Sequence, residues 1–268
     1  ISLTGVVPNL FIPDYGSKLT TSIYIRGIGS RITTPSVGLY VDNIPYIDKS
    51  AFDFNYADIE RIDVLRGPQG TLYGRNTMGG LIKVHTKSPF TYQGTDIRMG
   101  AGSHNQYNAS LTHYHRISNQ FAFSTGGFYE YNGGFFKNAA RNGEKIDRSH
   151  AGGGRVRAIY LPTSNLKVDM TLNYRRGLLN AGVNLEYQAQ HFILSAVTGY
   201  QNLNDRMFLD QDFTEKAIYT LEQKQKSNTL SEEIIFKSKA NKRWQWATGV
   251  FGLYQALNTR GPVTFWED

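Results

Sequence analysis

The sequence predicts a mainly β protein in which a small α/β unit precedes an antiparallel β-barrel that crosses a membrane. Three observations predict this class. After Pro89, segments of roughly ten residues alternate polar with apolar side chains, as the strands of membrane barrels do. Short turns such as Leu161–Asn165 alternate with long polar loops at Asn132–Arg148 and Asn204–Asn228. No apolar run approaches the ~18 residues of a transmembrane helix. This does not argue against a barrel, because the alternating polar and apolar residues of its strands give a low mean hydropathy.

The alternation is clearest in Leu166–Arg175, where Val168 and Met170 share one face and Lys167 and Asp169 share the other. A soluble sandwich would also alternate. Continuous apolar faces opposite full charges, with aromatic residues near strand ends, favour the membrane barrel over that alternative. The other predicted strands are Thr95–Gly102, Gln106–Arg116, Gln120–Tyr131, Gly153–Leu161, Gly182–Gln190, Phe192–Leu203, Thr229–Lys239 and Trp244–Gln255.

Composition narrows the possible partners only slightly. The net charge of +7 fits anionic partners such as lipid head groups or acidic ligands. The absence of cysteine excludes disulfides and Cys-type zinc sites. The 268 residues allow one or two domains. The first residues lack the basic region and apolar core of a signal peptide, so we expect a processed chain or a fragment.

The compact α/β unit is predicted over Ser22–Pro89. Its strands are predicted at Ser22–Gly27, Val37–Asp42, Glu60–Arg66 and Leu81–Thr86. Asp42-Asn43 suits a tight turn. The stretch between the last two strands is too rich in glycine for a long helix. Neither nucleotide-binding glycine pattern is present in the required context, so we expect no nucleotide site. We also expect no nucleic-acid partner.

Four motifs in this unit resemble the plug domain of TonB-dependent outer-membrane receptors. They are IRGIGSR (Ile25–Arg31), VGLYVDNIPY (Val37–Tyr46), IERIDVLRGPQGTLYG (Ile59–Gly74) and NTMGGLIKVHTKSP (Asn76–Pro89). Their order and close spacing make the resemblance specific. It implies that residues 1–93 form a plug domain in the lumen of a barrel. Residues 94–268 would then form part of that barrel, with about eight or nine strands.

Later segments resemble the early barrel strands of the iron–siderophore branch of the same family. They are FILSAVTGYQNLNDRMFLDQDF (Phe192–Phe213), NTLSEEIIFKSK (Asn228–Lys239) and WQWATGVFGLYQ (Trp244–Gln255). Plugged outer-membrane transporters have about 22 strands, and an open barrel would leave unpaired edges in lipid. We therefore expect a fragment or an incompletely ordered chain, without the N-terminal TonB box of the family.

The resemblance implies an active transport receptor in the bacterial outer membrane, without a cofactor and without enzymatic activity. Such a receptor binds a scarce nutrient, here expected to be a ferric siderophore, and the TonB protein pulls on the plug to release it. TonB, the nutrient and outer-membrane lipids would be the partners. The alternative is a soluble or surface β-rich module that binds ligands or mediates adhesion without transport. A passive porin is disfavoured, because the plug would occlude its lumen.

Two plug arginines, Arg26 and Arg66, are each followed by glycine. A buried arginine needs a hydrogen-bonded carboxylate partner, and alternation makes Glu233 the lumen-facing carboxylate of its strand. In the family, matching arginines pair with barrel glutamates and lock the plug, so we hypothesise such a lock between Arg26, Arg66 and Glu233. Solvated surface arginines, or pairing with Asp63 or Glu60, are the alternatives.

Outward-facing plug loops, at 30–36 and 46–55, are expected to contact the ligand. The second loop mixes aromatic and charged groups, which suits a polar ligand with a flat or metal-bound part. Ordinary loop solvation, or packing of the loop phenylalanines, is the alternative. The predicted ligand-binding residues are Arg31, Tyr46, Asp48, Lys49, Phe52 and Asp53.

Other groups of residues give weaker indications of a functional site. His113 and His115 share one strand face, but without an identifiable third ligand a metal site is not predicted. The aspartates in NDRMFLDQD (Asn204–Asp212) suit a solvated loop better than calcium. No nucleophile–base arrangement stands out, so no catalytic residue is predicted.

Overall fold

The computed structural model describes residues 3–13, 22–30, 34–52, 58–138, 143–145, 147–210, 218–239 and 243–265, and at Lys49, Ser50, Thr71, Leu72, Asn138, Leu209 and Asp210 it describes the backbone only. Two bodies of β structure make up this part of the chain: a small N-terminal sheet and a large curved wall of strands. Among the described residues, no helix is long and apolar enough to cross a membrane.

The N-terminal sheet has four strands in the order β4-β3-β6-β5. Strands β3 and β6 run parallel, and the other pairs are antiparallel. All five residues of β3 are buried, as expected for a strand covered on both faces. The elements of this region are a 3-10 turn at Leu3–Gly5, β1 (Leu10–Phe11), β2 (Tyr24–Ile25), β3 (Val37–Val41), β4 (Ile44–Tyr46), a 3-10 turn at Lys49–Phe52, β5 (Ile59–Arg66), α1 (Gly70–Tyr73) and β6 (Gly80–Thr86).

The predicted turn at Asp42-Asn43 is confirmed. It joins β3 to β4, and both residues have positive φ, at 49° and 69°. That backbone is typical of a type I′ hairpin turn, which aspartate and asparagine tolerate better than most residues. The prediction that the glycine-rich stretch between β5 and β6 forms no long helix is also confirmed, because α1 has only four residues. The strand β4 was not predicted separately, since its three residues include Pro45.

The wall is an antiparallel sheet in which neighbours along the chain pair in the order β7-β8-β9-β12-β13-β14-β15-β16-β17, with β18 paired to β16. Within the described residues this sheet stays open between β7 and β17. Its strands are β7 (Gly94–Gly102), β8 (Gln106–Arg116), β9 (Phe121–Asn132), β12 (Ser149–Thr163), β13 (Leu166–Arg175), β14 (Leu178–Gln188), β15 (Phe192–Asp210), β16 (Tyr219–Ser238), β17 (Ala247–Arg260) and β18 (Val263–Phe265); the short pair β10 (Lys137–Asn138) and β11 (Glu144–Lys145) lies in a connection.

The alternation read from the sequence separates two faces of the wall. On the outer face, Met99 is 82% and Val250 is 68% exposed. On the inner face, which carries the N-terminal sheet, Arg157, Asp169 and Glu233 are buried. The wall therefore carries apolar side chains on its outer face and charged side chains on its inner face. This is the pattern of a membrane barrel rather than of a soluble sandwich.

The two ends of the wall differ. We call the end with the connections 133–148 and 211–218 the loop end, and the end with the short turns 164–165 and 189–191 the turn end. The predicted loop Asn204–Asn228 is wrong. Instead, β15 runs on to Asp210 and β16 begins at Tyr219, with unbroken pairing between them. This hairpin mixes polar and apolar side chains on both faces, so the alternation that marks a membrane strand is lost there while the strands continue.

Candidate functional site

Two arginines of β12 reach from the wall into the N-terminal sheet. The Arg155 guanidinium donates to Asp58 at 2.7 Å and also contacts Asp42. The Arg157 Nη1 lies 3.2 Å from Asp42 and donates to the Thr86 hydroxyl at 2.9 Å. Asp42 follows β3 and Thr86 ends β6, so both arginines bind where two strands of the small sheet end side by side.

The wall completes this group of charges. Arg157 makes a bidentate pair with Asp169 of β13, at 2.9 and 2.8 Å. Lys167 lies 3.1 Å from the same carboxylate. Positive and negative charges are equal in number, so the group is neutral as a whole. We call Asp42, Asp58, Arg155, Arg157, Asp169 and Lys167 the anchor cluster.

The anchor cluster is nearly dry. The side chains of Asp42 and Asp169 are 2% and 3% exposed. Burial alone would raise the pKa of Asp42, but Arg155, Arg157 and two hydrogen bonds from Thr86 outweigh it and lower that pKa below its usual 3.8. Burying such charges is costly in itself, so the cluster confers little net stability. Losing one partner is strongly destabilising, because it leaves the remaining charges buried without a counter-charge.

A second contact lies on the far side of the small sheet, against β16. The hydroxyl proton of Tyr40 is shared between the Tyr73 carbonyl oxygen, 2.7 Å away, and the Glu233 carboxylate. Burial raises the pKa of Tyr40, which keeps the phenol protonated. Lys83 attracts Glu233 electrostatically, lies 3.4 Å from the Tyr73 hydroxyl and sits 5.1 Å from the centre of that ring.

Beside this contact, cavities separate parts of the small sheet from the wall. A cavity of about 210 Å³ is lined by Tyr40, Lys83 and Asn43 of the small sheet. A second cavity of about 160 Å³ borders α1 and β17. The wall residues that line both cavities are Glu233, Ile235 and Ala247. Because they share this stretch of wall, we call the two cavities together the seam.

Between the anchor cluster and the seam, the small sheet lies directly on the wall. A Cβ at Gly182 would stand 2.5 Å from an Ile44 side-chain atom, and one at Gly199 would stand 3.5 Å from Ile44. These glycines pair across β14 and β15 and form a flat floor for Ile44. The close approach fixes the small sheet at this height in the wall.

The structure does not bring the hypothesised lock residues together. Arg26 and Arg66 are exposed, and Arg66 lies 3.5 Å from the Pro8 carbonyl oxygen. Glu233 does face inward, as alternation indicates, but its neighbours are Tyr40 and Lys83. Among the described residues, two arginines of the wall pair with aspartates of the plug, which is the reverse of the hypothesis, and Lys87 of the plug pairs with Asp96 of β7 at 2.5 Å.

The predicted ligand residues fall into three groups. Tyr46 and Phe52 are buried in the core of the small sheet, because β4 and the following 3-10 turn direct them inward. Asp48 lies against the wall, where its amide donates to Gln201 at 3.0 Å and its carboxylate accepts from Gln225 at 3.3 Å. Arg31, Asp53 and the Lys49 side chain lie outside the described residues.

The wall contacts of Asp48 show which way its loop points. Gln225 pairs with Asp205 on β15, four residues beyond Gln201 toward the loop end. Asp48 and the 3-10 turn after it therefore lie toward the loop end. His113 and His115 stack 6.0 Å apart on the outer face, and across the described ranges no three acidic or histidine side chains gather as metal ligands would.

The geometry is that of a small domain held against the inner face of a membrane wall. Comparison with known proteins shows where the same arrangement occurs. The family model for the TonB-dependent receptor plug domain matches residues 2–81. Residues 2–81 are thus a TonB-dependent receptor plug domain. The N-terminal domain of this chain is accordingly a plug, and its wall is part of a barrel in the bacterial outer membrane.

Two relatives are similar in sequence over the first part of the chain. The pesticin receptor of Yersinia enterocolitica is 34% identical over 111 residues, which are 41% of this chain and 16% of the relative. The vitamin B12 transporter BtuB of Vibrio vulnificus is 31% identical over 140 residues, which are 48% of this chain and 20% of the relative. The matches therefore span a small part of each relative. Both are receptors or transporters rather than enzymes.

Solved structures share the fold over almost the whole chain. The ferric yersiniabactin uptake receptor FyuA from Yersinia pestis has a TM-score of 0.85 at 17% identity, covering 97% of this chain and 46% of that one. The ferric citrate transporter FecA has a TM-score of 0.70 at 13% identity, covering 97% of this chain and 45% of that one. The described plug and wall are thus arranged as in the corresponding half of these receptors.

Proposed function

We propose that this plug and wall belong to a receptor that imports a ferric siderophore across the outer membrane, driven by TonB and the proton-motive force. The observation that carries the proposal is the anchor cluster. A small domain tied into a barrel lumen by neutral, buried ion pairs closes the pore at rest, yet it is bound by reversible contacts. A closed pore with a releasable plug suits active import and excludes free diffusion.

The names of the solved structures that share this fold favour an iron chelate as the cargo. Several solved relatives are named for ferric siderophores or ferric citrate. The BtuB relative favours vitamin B12 as the second candidate cargo. Both cargoes are polar and contain a chelated metal, so either would need a polar vestibule at the loop end.

The loop that follows β4 is the proposed plug contact for the cargo. Asp48 directs it toward the loop end, which we take to face outside. Within it, Lys49 and Asp53 are the charged groups proposed to reach the cargo, and Arg31 is proposed from the neighbouring plug loop. Tyr46 and Phe52 would support this loop from the core rather than touch cargo.

The lock between Arg26, Arg66 and Glu233 stays a prediction. Plug retention in a Glu233→Ala variant of the full-length receptor tests it, and unchanged retention would count against it. The anchor cluster offers an independent means of retention, which a variant at Arg157 examines separately.

The decisive experiment is uptake by intact cells. Deleting the gene for the full-length receptor should abolish growth on one ferric siderophore from a panel under iron limitation, and restoring the gene should recover it. Loss of TonB should have the same effect. Vitamin B12-dependent growth, measured in parallel, examines the second cargo.

Two results would contradict import. If the deletion strain used every chelate and vitamin B12 normally, the receptor would carry neither cargo. If the full-length protein were soluble without detergent, or mediated surface adhesion with no change in uptake, the non-transporting alternative would replace the proposal.

A further inference from the structure

We propose that the outer face of β15, β16 and β17 binds the phosphorylated headgroup of a glycolipid in the outer leaflet of the membrane. Four cations of this face carry the inference: Arg206, Lys224, Lys226 and Arg260, which we call the cation ladder. The inference goes beyond import, because it concerns the lipid-facing side of the wall and no cargo. It takes from the proposed function only that the loop end faces outside.

The outer face of these strands changes character at one row of paired residues. Tyr200, Leu230 and Tyr254 lie directly opposite one another, and the two tyrosines are 40% and 68% exposed. Toward the turn end, the same face carries large apolar side chains such as Phe236 and Val250. Toward the loop end, asparagine, lysine and arginine follow. Tyrosine is typical of the boundary between lipid chains and headgroups, so this row marks the edge of the apolar layer.

The cation ladder begins above this row of tyrosines. On β16, Lys226 and Lys224 follow Leu230 at the second and third outward positions toward the loop end. A strand advances ~3.3 Å per residue and barrel strands tilt by ~35–45°, so the two lysines stand about 10 and 15 Å above the row. The headgroup layer of a phospholipid is only ~5–8 Å thick on each side of a bilayer. A sugar headgroup extends farther from the membrane, so the height favours phosphates that are borne on sugars.

The positive charge is confined to the lipid-facing side of the wall. Over residues 202–208, 222–228 and 256–260, the outer face carries the four cations against Glu222 alone, whereas the inner face carries only Asp205 as a charged group. As far as the structure describes them, the other strands of the wall from β7 to β14 carry no lysine or arginine on the outer face. An anionic cargo in the vestibule would meet the inner face. The ladder is therefore placed for an anion from the lipid side.

Within the ladder, cations lie opposite one another across the strand pairs. Lys224 is directly opposite Arg206 on β15 and Arg260 on β17. Glu222 contacts Arg206 and lies 2.9 Å from the Lys224 ammonium, which offsets the repulsion on one side. Among the described residues, no carboxylate pairs with Lys226 or Arg260. Like charges that face each other across strands weaken a sheet, and a phosphate bound between them would remove that repulsion.

The rows between the tyrosines and the ladder suit a sugar. The Asn202 amide donates to the Asn228 side-chain oxygen at 2.6 Å, and Asn204 and Asn258 lie on either side of Lys226. Side-chain amides can donate to and accept from sugar hydroxyls. Lysine and arginine donate charge-assisted hydrogen bonds to phosphate oxygens. The two kinds of group occur at successive heights on one face, as a phosphorylated sugar headgroup requires.

Binding of purified lipopolysaccharide, the phosphorylated glycolipid of bacterial outer leaflets, tests the proposal on full-length receptor in detergent. The ladder variant Lys224→Gln/Lys226→Gln removes two cations from the outer face of β16. The matched control Lys137→Gln/Lys145→Gln removes two lysines that lie directly opposite each other on β10 and β11, which form a separate pair outside the wall sheet. Both variants lose the same charge, so a difference between them reports position.

We expect the ladder variant to bind lipopolysaccharide about thirtyfold more weakly, since each basic side chain near an anionic lipid surface contributes about fivefold. The control should stay within about twofold of the unchanged receptor. Dephosphorylated lipopolysaccharide should bind the unchanged receptor as weakly as intact lipopolysaccharide binds the ladder variant, and this measurement needs no variant to fold. Vesicles of phosphatidylglycerol should bind the unchanged receptor and the ladder variant alike, because their phosphates lie below the ladder.

Several results would overturn the inference. Undiminished binding by the ladder variant, or of the dephosphorylated glycolipid, would mean that no phosphate is held there. An equal loss in the control would make net charge the cause. Displacement of lipopolysaccharide by millimolar inorganic phosphate would indicate a site for free anions, and a larger loss for phosphatidylglycerol would indicate a phospholipid. A receptor that binds lipopolysaccharide as expected but imports no ferric chelate would overturn the proposed function and leave this inference intact.

Discussion

The plug meets its wall in two ways, and the difference is one of partners. In the anchor cluster, every charged group of the plug depends on the wall: Asp42 and Asp58 have arginines of β12 as their cations. At the seam, Tyr40 and Lys83 each have a partner inside the plug as well. The plug groups at the seam therefore depend less on the wall than those of the anchor cluster do.

Breaking the anchor should give the largest effect. Arg157→Met removes the cation shared by Asp42 and Asp169 and should cost about 3–5 kcal/mol, because both carboxylates stay buried with one cation fewer. Thermal unfolding of the full-length receptor in detergent, or plug release on limited proteolysis, measures the loss. The control is Lys167→Met, which touches the same Asp169 but is 40% exposed and should cost less than ~1 kcal/mol. Equal losses in the two variants would show that burial does not decide the strength of the anchor.

Acid should weaken the anchor. The pKa of Asp42 is lowered in the folded protein, so its contribution is complete above its usual 3.8 and is lost as the pH falls through the folded value. Plug release measured by proteolysis should therefore rise below about pH 4. In an Asp42→Asn receptor the plug should be looser at neutral pH and less sensitive to acid. A steeper acid response in that variant would contradict the assignment.

Close packing between the two contacts should matter less than the anchor. Gly182→Ala brings a Cβ within 2.5 Å of Ile44, and overpacking of this kind costs about 1–3 kcal/mol. The double change Gly182→Ala with Ile44→Ala removes the three opposing atoms, so Gly182→Ala should cost less in that background than it does alone. Thermal unfolding measures both. An equal cost in the two backgrounds would mean that the strain lies within the wall rather than between wall and plug.

The seam contact should give the smallest effect. Tyr40→Phe removes one hydroxyl that has two acceptors, so the loss of stability should be about 0.5–1.5 kcal/mol. The same assay should show no loss of plug retention. A loss as large as that of Arg157→Met would place the main attachment at the seam and would reverse the comparison.

Much of the wall could be predicted from the sequence, because a strand between lipid and lumen must alternate. Leu166–Arg175 was predicted with both bounds of β13 correct, and Glu233 was correctly placed on the inner face. The prediction failed at Asn204–Asn228, where both faces meet water and no periodic signal is required. The extent of β15 and β16 there is set by backbone pairing, which side-chain polarity does not report.

The site was harder to predict, because its partners are distant along the chain. Arg155 lies 97 residues from Asp58 and 113 from Asp42. Alternation placed Arg155 and Arg157 on a charged face, but it could not say which plug carboxylates they meet. The signal that could have helped was the pair itself: two arginines on one inner face need buried acids opposite. The prediction of Tyr46 and Phe52 as ligand residues failed for a different reason. Aromatic side chains near a loop can pack into a core as readily as they can contact a ligand.

The hairpin of β15 and β16 has a practical consequence. Its strands have 19 and 20 residues, whereas about 9–11 suffice to cross a membrane. The remainder continues beyond that length at the loop end as a paired ribbon. If the loop end faces outside, as proposed, antibodies or sensor dyes directed at residues 202–208 and 219–228 would mark the receptor on living, unbroken cells.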